Sequence, residues 1–147
     1  MKHWLIIILL LIKYENVSNN KDINVNCDGK KFKNVLLAAY FPLLQEDDDK
    51  TYRDMNGRKL KSLQEYLDKK SEYITLAMDG SLGVPYGTRV CIPELNKQFN
   101  YYLNFEVRDN GTNLVDMGYK RADIFVRTEM DSYDSTVNKK VTLIFIK

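Results

Sequence analysis

Short runs of apolar residues recur along the chain, and several alternate with polar residues or stop at a proline or glycine, which is typical of β-strands. Six such runs predict strands at residues 35–41, 73–78, 88–92, 101–107, 122–127 and 141–146. One other segment, 59–69, places Leu60, Leu63 and Leu67 at helical spacing opposite charged residues, so it predicts one short amphipathic helix. Because strands and helices do not alternate, the pattern predicts a mostly β fold in which six strands close a small barrel.

Two aspartates lie within or beside the predicted strands. Asp123 interrupts an apolar alternation, where an ionisable carboxylate loses solvation free energy unless it is hydrogen-bonded or has a chemical role. Asp109 follows a strand in the sequence D-N-G, and like Asp116 it fits ordinary turn chemistry. Asp123 is therefore the first candidate for a functional residue, with a hydrogen-bonded structural aspartate as the alternative.

The amino-terminal segment predicts export. Residues 4–12 are an unbroken apolar run between Lys2 and Lys13, too short for a bilayer span and suited to the core of a signal peptide at residues 1–20. No A-x-A cleavage sequence follows, so an uncleaved anchor remains an alternative. Either reading predicts a secreted or cell-envelope protein whose single folded domain occupies residues 34–147.

Composition limits the chemistry. The chain has 147 residues, 44% of them hydrophobic, which suits one globular domain, and a net charge of +2 gives no basic field for nucleic acid. The only histidine, His3, and the only tryptophan, Trp4, lie in the predicted leader. Removal of the leader would exclude Ser-His-Asp and Cys-His catalysis and histidine-containing zinc sites, leaving carboxylates for acid–base work.

Three smaller features leave alternatives open. Cys27 and Cys91 would pair in an oxidising compartment, or Cys91 is a small buried apolar residue. The polar segment 16–33 predicts a loosely held lead-in, and the acidic run 46–49 reads as a solvated loop because it lacks calcium-loop spacing. Residues 110–112 form an N-glycosylation sequence that also reads as an unmodified turn.

Four segments carry a family resemblance. They are L-A-A-Y-F-P (37–42), A-M-D-G-S-L-G-V-P-Y-G-T-R-V (77–90), V-R-D-N-G (107–111) and G-Y-K-R-A-D-I-F (118–125). Together they resemble the three-aspartate, or 3D, domain family, which includes membrane-bound lytic transglycosylase A and related exported cell-wall proteins. The family aspartates would fall on Asp79, Asp109 and Asp123, and the resemblance implies a six-stranded double-psi β-barrel like that of barwin and the expansins.

The resemblance also implies roles for these residues. Asp123 would act as the general acid and base, with the sugar's own 6-hydroxyl as nucleophile in a lytic transglycosylase. Hydrolysis by water would add Asp109 as a second carboxyl, and the carboxyl separation would distinguish retention from inversion. Asp79 is a candidate substrate-binding residue, although its place before a glycine-rich turn also predicts a structural aspartate that binds backbone amides.

Two classes of function follow. The first is a secreted glycan-cleaving enzyme, a peptidoglycan lytic transglycosylase or glycosidase of cell-wall turnover that uses no cofactor or metal. The second is a non-catalytic, expansin-like or barwin-like module that binds polysaccharide. In either case we expect a monomer that contacts a membrane only through an uncleaved leader. Tyrosines would stack on sugar rings or, alternatively, pack in the core; the candidates are Tyr101, Tyr102 and Tyr119.

Overall fold

Six β-strands form the framework of the computed structural model, which describes residues 22–24, 26–42 and 52–147. The strands are β1 (Gly29–Tyr40), β2 (Ile74–Met78), β3 (Thr88–Cys91), β4 (Phe105–Asn110), β5 (Arg121–Phe125) and β6 (Lys139–Ile146). They close into one barrel in the order β1-β5-β2-β4-β3-β6. The mostly β, six-stranded closed barrel expected from the sequence is confirmed.

The strand order has an internal two-fold symmetry. β1 pairs with β5 in parallel and β2 pairs with β4 in parallel, while the other four neighbouring pairs are antiparallel. Exchanging the first three strands with the last three leaves the order around the barrel unchanged. Every strand thus lies between two strands of the other half, the interlocked connectivity expected of a double-psi barrel. Residues from distant parts of the chain become neighbours at the β5-β2-β4 junction.

The barrel interior is filled by side chains that alternate with outward-facing residues on each strand. Phe105 is the largest fully buried side chain, and Leu76 and Ile124 face each other across the β2–β5 pair. Other fully buried core residues on the strands include Leu37, Ile74, Val90, Ala122 and Leu143. This apolar interior holds the strands that carry the candidate site at fixed register.

Within the described residues, three short α-helices accompany the barrel: α1 (Leu63–Leu67), α2 (Pro93–Phe99) and α3 (Glu129–Ser132). α1 lies within the helix predicted at 59–69 and begins later, because Ser62 and Glu65 form a reciprocal capping box at its start. α2 was not predicted. Pro93, which the sequence suggested only as the end of a strand, takes the first helical position, where its missing N–H leaves no hydrogen bond unmade.

Cys27 and Cys91 form a disulfide that ties the start of the described chain to the end of β3. β1 then begins at Gly29, so the expectation of a loose lead-in is wrong for residues 29–33, which belong to β1 and pair with β6 up to Phe32. Gly29 is required there because a Cβ atom would lie 1.7 Å from the Phe145 carbonyl oxygen. The predicted leader at 1–20 and the acidic run at 46–49 lie outside the described residues. In the part of the chain that is described, no helix is long and apolar enough to cross a membrane.

Candidate functional site

Asp109 and Asp123 lie on either side of Ala77 on the outer face of the barrel. Ala77 on β2 is in register with Asp123 on β5 and with Asp109 on β4. Directly opposed residues of neighbouring strands point to the same face, and the adjacent Leu76 faces the core, so these three side chains point away from it. The barrel therefore brings to one face two aspartates that are 14 positions apart and belong to different strands.

A β-bulge in β4 produces this alignment. Leu76 pairs with Val107 and Ala77 pairs with Asp109, which leaves Arg108 as an extra residue in β4. A bulge of this kind shifts the side-chain alternation by one position, so Asp109 shares a face with Asp123. Two strand spacings separate the two aspartate backbones, a distance of about 9–10 Å.

Tyr40 extends from β1 to Asp109 across the two intervening strands. Its hydroxyl donates a hydrogen bond of 2.8 Å to Asp109 Oδ2. Burial raises the pKa of Asp109 above its ordinary value, although the hydrogen bonds from Tyr40 and from the Asn110 N–H lower it. Burial and then the neighbouring Asp109 charge raise the pKa of Tyr40, so its hydroxyl keeps its proton and remains a donor. Asp109 is thus a carboxyl that holds a proton more readily than an ordinary aspartate.

Asp123 has a charge partner on its own strand. Arg121 Nε lies 2.9 Å from Asp123 Oδ1, and the two side chains project to the same face because they are two residues apart. The Asp123 side chain retains 11% exposure, so it is open to solvent to a small extent. The pair with Arg121 also fits the alternative of a structural aspartate.

Asp79 binds backbone amides, as expected from its place before a glycine-rich turn. Its Oδ2 accepts from the Gly118 N–H, and its Oδ1 accepts from the N–H and the hydroxyl of Ser81. These hydrogen bonds, the one from Gly118 first, lower the pKa of Asp79. Asp79 therefore joins the turn after β2 to the turn before β5, and it holds the groove in shape as an anion.

A polar cluster supports the β4 side of the site. Tyr86 Oη donates to Asp54 Oδ2 at 2.5 Å and accepts from Arg108 Nη1 at 2.9 Å. The guanidinium of Arg108 also binds Glu106 and stacks on the ring of Tyr73 at 3.8 Å. These contacts fix Arg108, the bulge residue, on the outer face of β4. Asp54 contributes to the raised pKa of Asp109, after burial.

Two cavities open beside Asp109. A small one of about 60 Å³ is lined by Asp109, Met78 and Val84. A larger one of about 240 Å³ is lined by Ser81, Asn110 and Thr112. Asp79, Gly80 and Asn110 border both cavities, so the two adjoin, and together they form the polar groove beside Asp109.

The three candidate tyrosines do not join this groove. Tyr101 and Tyr102 precede β4, at the opposite end of that strand from Asp109. Tyr101 is 46% exposed and packs near Tyr66, with ring centroids 6.1 Å apart. Tyr119 stacks on Phe32 at 3.9 Å, so its ring serves packing, the alternative that the sequence left open.

Sequence reasoning assigned no role to Tyr40, Arg121 or Asp54. Tyr40 lies in an apolar run that predicted only a strand, and nothing in the sequence indicates that it reaches a residue 69 positions away. Arg121 offered a signal, since an arginine two residues before a strand aspartate shares its face. Asp54 lies in a turn sequence, and its contact with Tyr86 depends on the tertiary fold.

Comparison with known proteins identifies no family for this chain. No protein-family model matches it, and no curated protein matches it. Membership of the 3D-domain family therefore stays a prediction from the quoted motifs. Among residues 22–24, 26–42 and 52–147, no group of three or more His, Cys, Asp or Glu side chains is placed to hold a metal ion.

Proposed function

We propose that this protein cleaves glycosidic bonds in the groove beside Asp109, with Asp109 and Asp123 as its acid–base carboxyls. The observation that supports this most is that the fold aligns the two aspartates on one face while burial raises the pKa of Asp109. Carboxyl pairs in different environments are typical of enzymes that cut glycosidic bonds.

In this proposal Asp109 donates the proton to the leaving glycosidic oxygen. Its raised pKa favours that role, which the sequence had suggested for Asp123. Asp123, which is paired with Arg121, accepts the proton of the attacking water when the bond is hydrolysed. In the lytic transglycosylase reaction the deprotonated Asp109 accepts the proton of the 6-hydroxyl. The Tyr40 hydroxyl stabilises the negative charge left on Asp109, because it donates a hydrogen bond to that carboxylate.

The spacing of the two aspartates favours particular mechanisms. Retaining glycosidases that form a covalent intermediate hold their carboxyls about 5 Å apart, and inverting enzymes hold them roughly 6.5–9.5 Å apart. A backbone separation of about 9–10 Å leaves room for a water between the two side chains, as inverting enzymes require. It also fits attack by the sugar's own 6-hydroxyl, for which one carboxyl is enough. We therefore propose a lytic transglycosylase or an inverting hydrolase, with peptidoglycan as the substrate.

One observation favours a second function. Asp123 is largely buried and paired with Arg121, as a purely structural aspartate would be. In that case the groove would bind polysaccharide without cutting it, in the manner of a barwin-like or expansin-like module. The two proposals share the groove and differ only in whether its carboxyls transfer protons.

Incubation of purified cell-wall sacculi with wild-type protein and with Asp109→Asn and Asp123→Asn separates the two functions. The enzyme proposal expects each substitution to reduce fragment release by about 10²–10⁴-fold, the usual contribution of acid–base catalysis, while sacculus binding persists. Asp116→Asn is the matched control, because Asp116 lies at a positive φ of 64° that asparagine accepts. Mass spectrometry of the fragments identifies an anhydro end, which assigns the lytic transglycosylase reaction.

Binding of sacculi without fragment release by the wild-type protein would refute the enzyme and support the binding module. Fragment release that survives both substitutions would refute the roles of these two carboxyls.

A further inference from the structure

A separate cavity of about 220 Å³ adjoins the candidate site on the side of Phe125. Phe125 follows Asp123 by two positions on β5, so both face outward and lie about 7 Å apart along the strand. The Phe125 ring also lies 5.6 Å from the ring of Tyr40, whose hydroxyl binds Asp109. The cavity thus lies next to the carboxyls, and its lining includes neither Asp79 nor Asn110, which border the polar groove.

The walls of this cavity are aromatic. Phe41, Tyr52 and Phe125 line it, and the rings of Phe41 and Tyr52 meet at a tilt with centroids 5.8 Å apart. Its volume lies below the 300–1,000 Å³ or so of pockets for drug-sized ligands, which suits a single sugar ring. Flat aromatic faces pack against the C–H faces of sugars, so the cavity can bury one side of such a ring.

Two cationic side chains line the cavity. They are Lys59 and Arg127, and both are exposed. Glu65 brings one carboxylate to the same lining, and the Ser62 N–H holds its Oε2 within the capping box of α1. Arg127 contacts Asp68 at 3.3 Å with its side chain 56% exposed, a type of pair that contributes little and that an incoming anion can replace.

We propose that this cavity is a subsite for a sugar residue that carries a carboxylate. The aromatic walls bind the ring, and Lys59 and Arg127 bind the carboxylate. This inference deepens the proposed glycan cleavage and rests on it for the claim that the bound sugar belongs to a polysaccharide. The groove on the other side of Asp109 offers uncharged donors and acceptors from Ser81, Asn110 and Thr112, which suits a neutral sugar. The substrate would then present an acidic residue on one side of the cleaved bond and a neutral one on the other.

Two ligands that differ only in the carboxylate test the subsite directly. Methyl β-D-glucuronide and methyl β-D-glucoside are titrated by NMR into the isotope-labelled full chain carrying Asp109→Asn, so that binding is measured without turnover. We expect the glucuronide to bind about fivefold or more tightly than the glucoside, the factor that one partly exposed ion pair supplies. The backbone amides of Phe125 and Arg127 are expected to shift on binding.

Variants that remove equal charge at different places test whether the preference for the glucuronide arises in this cavity. Lys59→Gln with Arg127→Gln is expected to abolish the preference for the glucuronide, and Tyr52→Leu is expected to weaken both ligands. Arg89→Gln with Lys140→Gln removes the same charge from exposed positions on β3 and β6, and it should leave the preference intact.

Equal affinity for the two glycosides, or a preference that survives the first pair of substitutions, would overturn the subsite. Failure of the underlying function gives a different result. In that case the wild-type protein releases no fragments from sacculi while the glucuronide still binds preferentially at Phe125. Loss of the preference together with continued fragment release would refute the subsite alone.

Discussion

Substitution of Tyr40 by phenylalanine removes a single hydroxyl and tests the electrostatics of the site. The lost hydrogen bond, 2.8 Å from Tyr40 Oη to Asp109 Oδ2, serves a carboxyl that is charged at high pH and neutral at low pH. A hydrogen bond to a charged group contributes about 1.5–3 kcal/mol and one between neutral groups about 0.5–1.5 kcal/mol. We therefore expect Tyr40→Phe to lower the free energy of unfolding by about 1.5–3 kcal/mol at pH 8 and by about half as much at pH 4.

The sign of the pH effect follows from the direction of the Asp109 pKa. The Tyr40 hydrogen bond lowers this pKa, against the larger effect of burial, so its removal raises the pKa of Asp109 further. If Asp109 is the proton donor, the alkaline fall in activity moves to higher pH in Tyr40→Phe.

Urea unfolding at the two pH values measures the stability difference, and carboxyl NMR follows the titration of Asp109. Tyr66→Phe is the matched control, because the Tyr66 hydroxyl donates a hydrogen bond of 2.9 Å to the Tyr102 carbonyl, which does not titrate. Tyr66→Phe should lower the free energy of unfolding by the same amount at both pH values. An equal cost of Tyr40→Phe at pH 4 and pH 8 would refute a hydrogen bond to an ionised Asp109.

Three further predictions concern the scaffold. Reduction of the Cys27–Cys91 disulfide should lower the unfolding free energy by about 4 kcal/mol at 25 °C, because the bond closes a loop with a sequence separation of 64 in the unfolded chain. Denaturation with and without reductant measures this difference. An unchanged unfolding free energy would contradict the argument from the entropy of the closed loop. The pKa of Asp79 is lowered on folding, so its contribution to stability is present above its ordinary value of 3.8 and is lost as pH falls through the folded value. Asp79→Asn should therefore destabilise at pH 6 and do so less at pH 3, and a cost that grows towards low pH would oppose this assignment. Phe105→Ala should cost about 3–5 kcal/mol by urea unfolding, since the ring is fully buried, and a cost below 1 kcal/mol or so would show that the site collapses around the cavity.

Local pattern predicted the strands because each buries one face against the barrel interior. The limits of β1 and β4 were missed where that pattern is weak. At residues 29–33 three lysines surround Phe32, so the sequence looks like a polar lead-in, yet the backbone pairs with β6 and Phe32 stacks on Tyr119. β4 begins at Phe105 because Tyr101 and Tyr102 belong to the connection after α2, whose C-cap Asn100 has a left-handed φ of 49°.

The sequence predicted turns at both Asp109 and Asp116, and only one of these predictions is confirmed. Asp116 does occupy a turn, with a positive φ of 64°. Asp109 was also expected in a turn, because D-N-G is common there, but it lies within β4. Pairing with β2 decides the matter, since Ala77 and Met78 supply hydrogen-bonding partners up to Asn110.

The bulge at Arg108 explains why the site as a whole could not be derived from spacing. With regular pairing, Ala77 would face Arg108 and Asp109 would point with the core-facing Met78. A carboxylate there would lie among buried apolar side chains without a partner, at a high cost in desolvation. One inserted residue instead turns Asp109 to the outer face, towards Tyr40, and gives Arg108 a place between Tyr73 and Tyr86. The same insertion therefore avoids a buried charge and assembles the candidate site, and a strand pattern read with period two cannot reveal it.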